Sequence, residues 1–303
     1  MRDLVSSRLR TKKKIRFYIV GGLGNQLFIY FAANHYANSF GRKLEISRIF
    51  KATHHSIWDL TSFNLPGQFI AGNPTVFWKF LWRIRDSIQL RIPLSRYLLP
   101  DVQVLKDGEF PRDSEAKTLR IRGNFTTIDF AKQAINASDF ELKLRNASTW
   151  YLEMEALAQL RKPISVHVRR TDNLNSKNSD GVLSEEFFID ALTLVEQRIG
   201  RREIWLFTDN PIEVSDWQIF KEREVKVIHP PKGEKNDPAE HMKLMTLASA
   251  NIIGNSSFAI FGALFNQSGE IVVCPSEPLR NGRIGWTDLF CDNWVRIEPK
   301  WED

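Results

Sequence analysis

The sequence predicts an α/β protein made of two Rossmann-like halves facing a cleft. Three observations predict it. After residue 150, strand-length apolar runs alternate regularly with helical patterns, as a parallel sheet covered by helices requires. Near the amino terminus, residues 15–46 form one strand, glycine turn, helix and strand unit. The run Pro163 to Val166 opens directly into charged residues, which places those charges at the carboxyl edge of a sheet, where open α/β sheets bind ligands.

Ile15–Val20 is the first apolar run, and Gly21-Gly22-Leu23-Gly24-Asn25-Gln26 follows it. A helical pattern runs from Leu27 to Ser39 and stops before Gly41, and Lys43–Ile46 reads as the next strand. Asn25 is a good N-cap. Glycines let the backbone approach a ligand closely, and a helix start offers unpaired N–H groups. A plain tight turn is the alternative, and this segment alone favours it. Leu27 stands where a dinucleotide fingerprint needs its third glycine, and no Gly-Lys-Ser/Thr follows to make a P-loop. Asp101–Leu105 and Thr118–Arg122 then read as strands, with a short helix near Ile128–Ala134. Beyond residue 150, strands are expected at 163–168, 203–207, 225–229, 251–254 and 270–274. Helices are expected at 184–199, capped by Ser184 and stopped by Gly200, in a short turn from Pro211, and at 238–249 and 256–266. The expected division is a flexible basic tail at 1–14, one domain at 15–150 and a second at 151–303.

Composition agrees with a compact enzyme. The 303 residues, 43% of them hydrophobic, suffice for two domains of about 150 residues each. Cys274 and Cys291 form neither a metal spacing nor a disulfide framework, so a reducing compartment is compatible. No run of about 18 apolar residues is present to span a membrane, and the basic amino terminus lacks the apolar segment of a secretory signal. A cytoplasmic protein is expected.

Charge is unevenly placed. Residues 1–16 carry a net +6 and residues 76–99 a net +4; the chain total is +6, which leaves −4 for the remainder. Residues 76–99 interleave cations with Phe77, Trp78, Phe80, Trp82, Ile88 and Tyr97. Such a segment suits a helix lying on an anionic membrane surface, although an amphipathic hairpin packed on the core is the commoner origin of the pattern. Nucleic acid is a weaker partner, because no recognised binding module accompanies the charge.

The densest chemistry lies in His167-Val168-Arg169-Arg170-Thr171-Asp172. Two guanidiniums at a strand end suit a phosphorylated ligand, since arginine offers a planar fork of donors and stays charged. Two solvated arginines are the bland alternative.

Four segments together resemble the α-1,2-fucosyltransferase family and related GDP-fucose-dependent enzymes: Gly21 to Phe28, His167 to Asp172, Phe207-Thr208-Asp209, and Ile252-Ile253-Gly254-Asn255-Ser256-Ser257-Phe258. They stand in the family's order. There are departures. Asn210-Pro211 replaces a second Asp, Ile260-Phe261 replaces paired tryptophans, Asn173-Leu174 replaces a common Tyr, and His241 stands where an Asp usually partners the nucleotide base. Glu240 could shift into that last role.

The resemblance implies a GT-B-like architecture with an acceptor-side amino-terminal domain and a GDP-binding carboxyl-terminal domain. It implies an inverting enzyme that moves L-fucose from GDP-β-L-fucose to a galactose-type hydroxyl in α-1,2 linkage. A surface glycan such as O-antigen is the expected product, on an acceptor that could be lipid-linked, with the enzyme peripheral on the inner face of the membrane. Charge building on the departing β-phosphate needs a stabilising cation. The chain contains no Asp-x-Asp, so neither metal nor cofactor is expected and Arg169 is the first candidate, assisted or buttressed by Arg170. Gly22, Gly24, Asn25, His167, Asp209, Glu240, Asn255, Ser256, Ser257 and Phe258 complete the expected donor site. Asp172 is preferred as base over His167, which is assigned to donor binding; Asp172 could instead fix Arg170, and Asp209 could simply cap the Pro211 turn. Two alternatives stay open: transfer of another, further-deoxygenated GDP-sugar, and a non-catalytic nucleotide-sugar or glycan-binding protein.

Overall fold

The computed structural model describes residues 13–48, 59–70, 84, 109–137, 141–170, 181–280 and 289–302. The expected strand 101–105, nearly all of the basic aromatic segment 76–99, and Asp172 lie outside the described residues.

Two parallel sheets organise the chain. The first contains β1 (Lys14–Ile19), β2 (Lys43–Arg48), β3 (Gln68–Ile70) and β4 (Thr118–Ile121), in the order β3-β2-β1-β4. The second contains β5 (Ile164–Val168), β6 (Ile204–Thr208), β7 (Val225–Val227), β8 (Ala250–Ile252), β9 (Ile271–Pro275) and β10 (Val295–Ile297), in the order β10-β9-β8-β5-β6-β7. Every pairing in both sheets is parallel. Strands covered on both faces read as continuous apolar runs, and Ile164–Val168 is buried at every position.

Both sheets reverse direction beside a central strand. The first winds outward from β1 to β2 and β3, then returns to place β4 on the other side of β1. The second winds from β5 to β6 and β7, then jumps to β8 on the other flank of β5. Such switch points open crevices at the carboxyl ends of the strands. The glycine turn follows β1, the His-Arg-Arg segment follows from β5, and Asn255 to Phe258 follow β8.

The expected elements form with shifts of a few residues, and one shift matters. The first helix spans Leu23–Ser39, four residues ahead of the expected start. Gly21 turns the chain at φ +80° and Gly22 serves as N-cap in an extended conformation. The Gln26 N–H donates to the Gly22 carbonyl at 3.0 Å, and the Gln26 amide donates to the Gly21 carbonyl at 2.8 Å. Asn25 is therefore not the cap: it lies exposed in the first helical turn. Asp129–Ala137, Glu185–Ile199, Pro211–Ser215, Pro238–Met245 and Ser257–Leu264 are the other expected helices. Thr149–Arg161, Gln218–Lys221, β3 and β10 were not expected.

One apolar core joins the two sheets. The helix Leu23–Ser39 packs on Ser257–Leu264, with the Phe261 ring 4.7 Å from Phe28 and 6.0 Å from Phe31. Ile260 and Phe261, where the resembled family carries tryptophans, are fully buried in this contact. Trp205 and Phe207 of β6 belong to the same core, whereas Ile164, Val166 and Val168 face a second core with Phe187 and Leu192 of the helix Glu185–Ile199. Among the described residues, no helix is long and apolar enough to cross a membrane.

Candidate active site

Strand alternation sorts the residues of β5. Side chains on a strand point to opposite faces in turn, so Ser165 and His167 share one face of β5, and Ile164, Val166 and Val168 share the other; Arg169 and Arg170 follow its last residue. His167 accordingly meets Phe258, ring centres 5.7 Å apart. Arg170 emerges on the Trp217 side, its guanidinium 5.5 Å above that indole. The adjacent arginines therefore have different environments.

His167 is buried, and its Nδ1 has no hydrogen-bond partner among the described residues. Burial first, then the nearby Arg169 charge, push the imidazole down to about 4, against a smaller upward pull from Asp209. The ring is thus neutral at neutral pH. It can donate or accept one hydrogen bond toward a ligand but brings no charge.

Arg170 is held by two carboxylates. Its Nη2 pairs with Glu213 at 2.5 Å and its Nη1 with Glu302, and its side chain is 8% exposed. Its N–H donates to Asp209 Oδ1 at 2.9 Å. A buried cation must be paired, and two carboxylates pair Arg170; of its two expected roles, assisting or buttressing Arg169, this is the geometry of a buttress. Asp209 braces the backbone at the strand end, and Asn210, not Asp209, caps Pro211–Ser215 by accepting the Glu213 N–H at 3.4 Å. The Asn210 amide also donates to Glu213 at 2.7 Å, so Asn210 holds the glutamate that holds Arg170.

The glycine turn meets the start of the helix Ser257–Leu264. A Cβ on Gly24 would lie 2.4 Å from the Ser257 carbonyl carbon and 2.5 Å from the Phe258 nitrogen. Gly24 is thus required by close approach of two helix starts. Gly22 is different: among the described residues, a Cβ there would meet nothing within 4 Å. Ser256 is the buried N-cap of Ser257–Leu264, while Ser257 and Phe258 are half-buried in its first turn. Two helix starts, each carrying partial positive charge and unpaired N–H groups, therefore adjoin one another, next to the face of β5 that carries His167. Asn255 donates from its amide to the Gly181 carbonyl at 3.1 Å.

Glu240 is buried and bound to Ser148. Its carboxylate accepts the Ser148 N–H at 2.7 Å and the Ser148 hydroxyl at 2.8 Å, fastening the start of Thr149–Arg161. These two bonds give Glu240 a structural task besides the base-partner role expected of it. His241 lies beside Trp150 (5.3 Å) and Phe207 (6.2 Å); burial, then the charge of His229, lower it to about 4. Among the described residues, no three His, Cys, Asp or Glu side chains gather as a metal site would need.

The profile of the family described as glycosyl transferase family 11 matches residues 73–298. This chain belongs to glycosyl transferase family 11. The matched span holds His167 to Asp172, Asp209 and Asn255 to Phe258; the glycine turn precedes it. The alpha-1,2-colitosyltransferase of Escherichia coli is 26% identical over 304 residues, 92% of this chain and 97% of the relative. The fucosyltransferase NodZ from Bradyrhizobium superposes with a TM-score of 0.53 at 18% identity, over 84% of this chain and 94% of its own. POFUT1 in complex with GDP superposes with a TM-score of 0.51 at 12% identity, over 87% of this chain and 98% of its own. These two likenesses establish the fold: this member of family 11 shares its α/β architecture with solved fucosyltransferases.

Proposed function

We propose that this family 11 member is an inverting transferase. It moves L-fucose from GDP-β-L-fucose to a galactose-type hydroxyl and forms an α-1,2 link. One observation supports the reading above the others. The segments that leave the two switch points, Gly21 to Asn25 and Asn255 to Phe258, abut at Gly24 and Ser257, beside β5, which holds His167 and leads into Arg169. In this reading the two halves face a GT-B cleft, the diphosphate lies at the adjoining helix starts, and the sugar extends toward Gly22 and Asn25.

The acceptor oxygen attacks the anomeric carbon opposite the diphosphate, and the bond to the β-phosphate oxygen breaks. Arg169 and the helix N–H groups stabilise the charge that builds on the departing phosphate. Neutral His167 offers a hydrogen bond to the donor. Asp172 takes the acceptor proton. No metal is needed where a guanidinium supplies the positive charge. We further assign the acceptor to a lipid-linked surface glycan met at the cytoplasmic membrane face, on the strength of the basic aromatic segment 76–99.

A second reading has its own support. The 26% identical relative is named for colitose, which is fucose without its 3-hydroxyl. A pocket that merely tolerates the 3-position would accept either GDP-sugar, whereas one that hydrogen-bonds the hydroxyl would reject the deoxy donor by about 10⁴-fold or more.

The test is GDP release from GDP-fucose, GDP-colitose, GDP-mannose and UDP-galactose, with a panel of galactosides and chelator present. Release specific to a GDP-deoxysugar and dependent on a galactoside supports the reading, and product NMR assigns the linkage. Binding of GDP without release on any acceptor would convert the proposal into a binding protein. Loss of activity in chelator, with recovery in Mg²⁺ or Mn²⁺, would remove the metal-free mechanism.

A further inference from the structure

The last described residues reach back to the strand end that carries the arginines. The Glu302 carboxylate accepts Arg170 Nη1, and the Glu302 N–H donates to the Val182 carbonyl at 2.8 Å. The Ser184 N–H donates to the Lys300 carbonyl at 2.8 Å, and Trp301 forms an antiparallel bridge with Leu183. The Trp301 ring closes over Gly181, where φ is +94° and a Cβ would lie 2.6 Å from the indole. One residue, Glu302, thus ties Arg170, just beyond β5, to Val182, just before the helix Glu185–Ile199.

Charge balance alone does not explain this arrangement. A single carboxylate would neutralise Arg170, yet Glu213 and Glu302 take separate nitrogens while Trp217 lies under the plane. Three partners fix the orientation of a guanidinium as well as its charge. Asp209 fixes the Arg170 N–H from a fourth direction. The backbone held in this way belongs to the residue next to Arg169.

We propose that Glu302 is a positioning residue for transfer: through Arg170 it sets the strand end so that Arg169 points at the departing phosphate. This rests on the assignment of Arg169 as leaving-group clamp. A tail that only stabilises the fold would lower the melting temperature and leave the chemical step alone. A positioning role predicts that Glu302 matters only while Arg169 is present.

The experiment is a double-variant cycle on the full chain: wild type, Glu302→Gln, Arg169→Ala and the pair. It follows GDP release from GDP-fucose and from GDP-colitose, with water and with a galactoside as acceptor, beside the melting temperature. Glu302→Gln keeps the side-chain shape and leaves Arg170 paired with Glu213, so the fold survives. We expect kcat to fall about tenfold with donor KM changed less than about threefold, as small misplacements of a catalytic group do. The pair should turn over within about twofold of Arg169→Ala alone, the signature of coupled residues. A Glu302→Gln rate within about twofold of wild type, or losses that multiply in the pair, would overturn the positioning role. An Arg169→Ala variant as fast as wild type would instead bring down the clamp assignment, and this inference with it.

Discussion

The two switch points are built from different materials. After β1 the chain offers Gly21, Gly22 and Gly24, a turn of bare backbone whose nearest neighbour is another helix start. After β5 it offers His167, Arg169 and Arg170, with Asp209, Glu213 and Glu302 gathered behind them. The first contributes shape and the second contributes charge. Two kinds of glycine differ here as well: a Cβ on Gly24 would enter the Ser257 backbone, while among the described residues a Cβ on Gly22 would meet nothing within 4 Å.

The largest effect should come from the charged side. Arg169→Ala is expected to lower turnover about 10²–10³-fold, the scale of losing one preorganised charge-stabilising donor. A loss below about threefold in steady-state GDP release would break the assignment of charge to this end. Next is Gly24→Ala, which forces two backbones apart and should cost about 1–3 kcal/mol in urea unfolding; unchanged stability would mean that the helix starts are not tightly opposed.

Acidity should act next, through the histidines. His167 and His241 are both depressed to about 4, so between their unfolded value near 6.5 and about 4 the unfolded chain binds more protons than the native one. Their contribution to stability is complete above the unfolded pKa and is lost as pH falls through the native one. Urea midpoints should therefore drop steadily from pH 7 to pH 4.5, and His241→Gln should flatten the slope. A flat profile in the wild type would contradict the buried, neutral state. The smallest expected effect on stability is that of Gly22→Ala, which should leave the melting temperature unchanged while raising the donor KM. Unchanged KM would sharpen the contrast by moving the donor away from the glycine turn.

Much of this was legible in the sequence, for identifiable reasons. β1, β5, β6, β8 and β9 are apolar runs bounded by turn residues, and the candidate site residues follow the carboxyl ends of β1, β5 and β8. The helix Thr149–Arg161 was not legible, because Leu152 and Leu160 are exposed, at 52% and 78%, and blur the buried stripe of Trp150, Met154 and Ala158. β3 and β10, three residues each, are too short to show a period. The fates of the two arginines could not be read from their adjacency. Both follow the end of β5, and only the tertiary structure shows that Trp217, Glu213 and Glu302 surround Arg170. Those partners stand 43 and 132 residues from Arg170, beyond any local motif. The bond of Glu240 to Ser148 was hidden for the same reason, the two standing 92 residues apart.

The most direct test of the central claim is hydrogen–deuterium exchange of the wild-type protein with and without GDP. The account predicts slowed exchange at the two helix starts, residues 23–26 and 257–260, and at 169–170, where the segments from both switch points meet. Protection confined to the amino ends of the strands, or absent from both helix starts at saturating GDP, would contradict it.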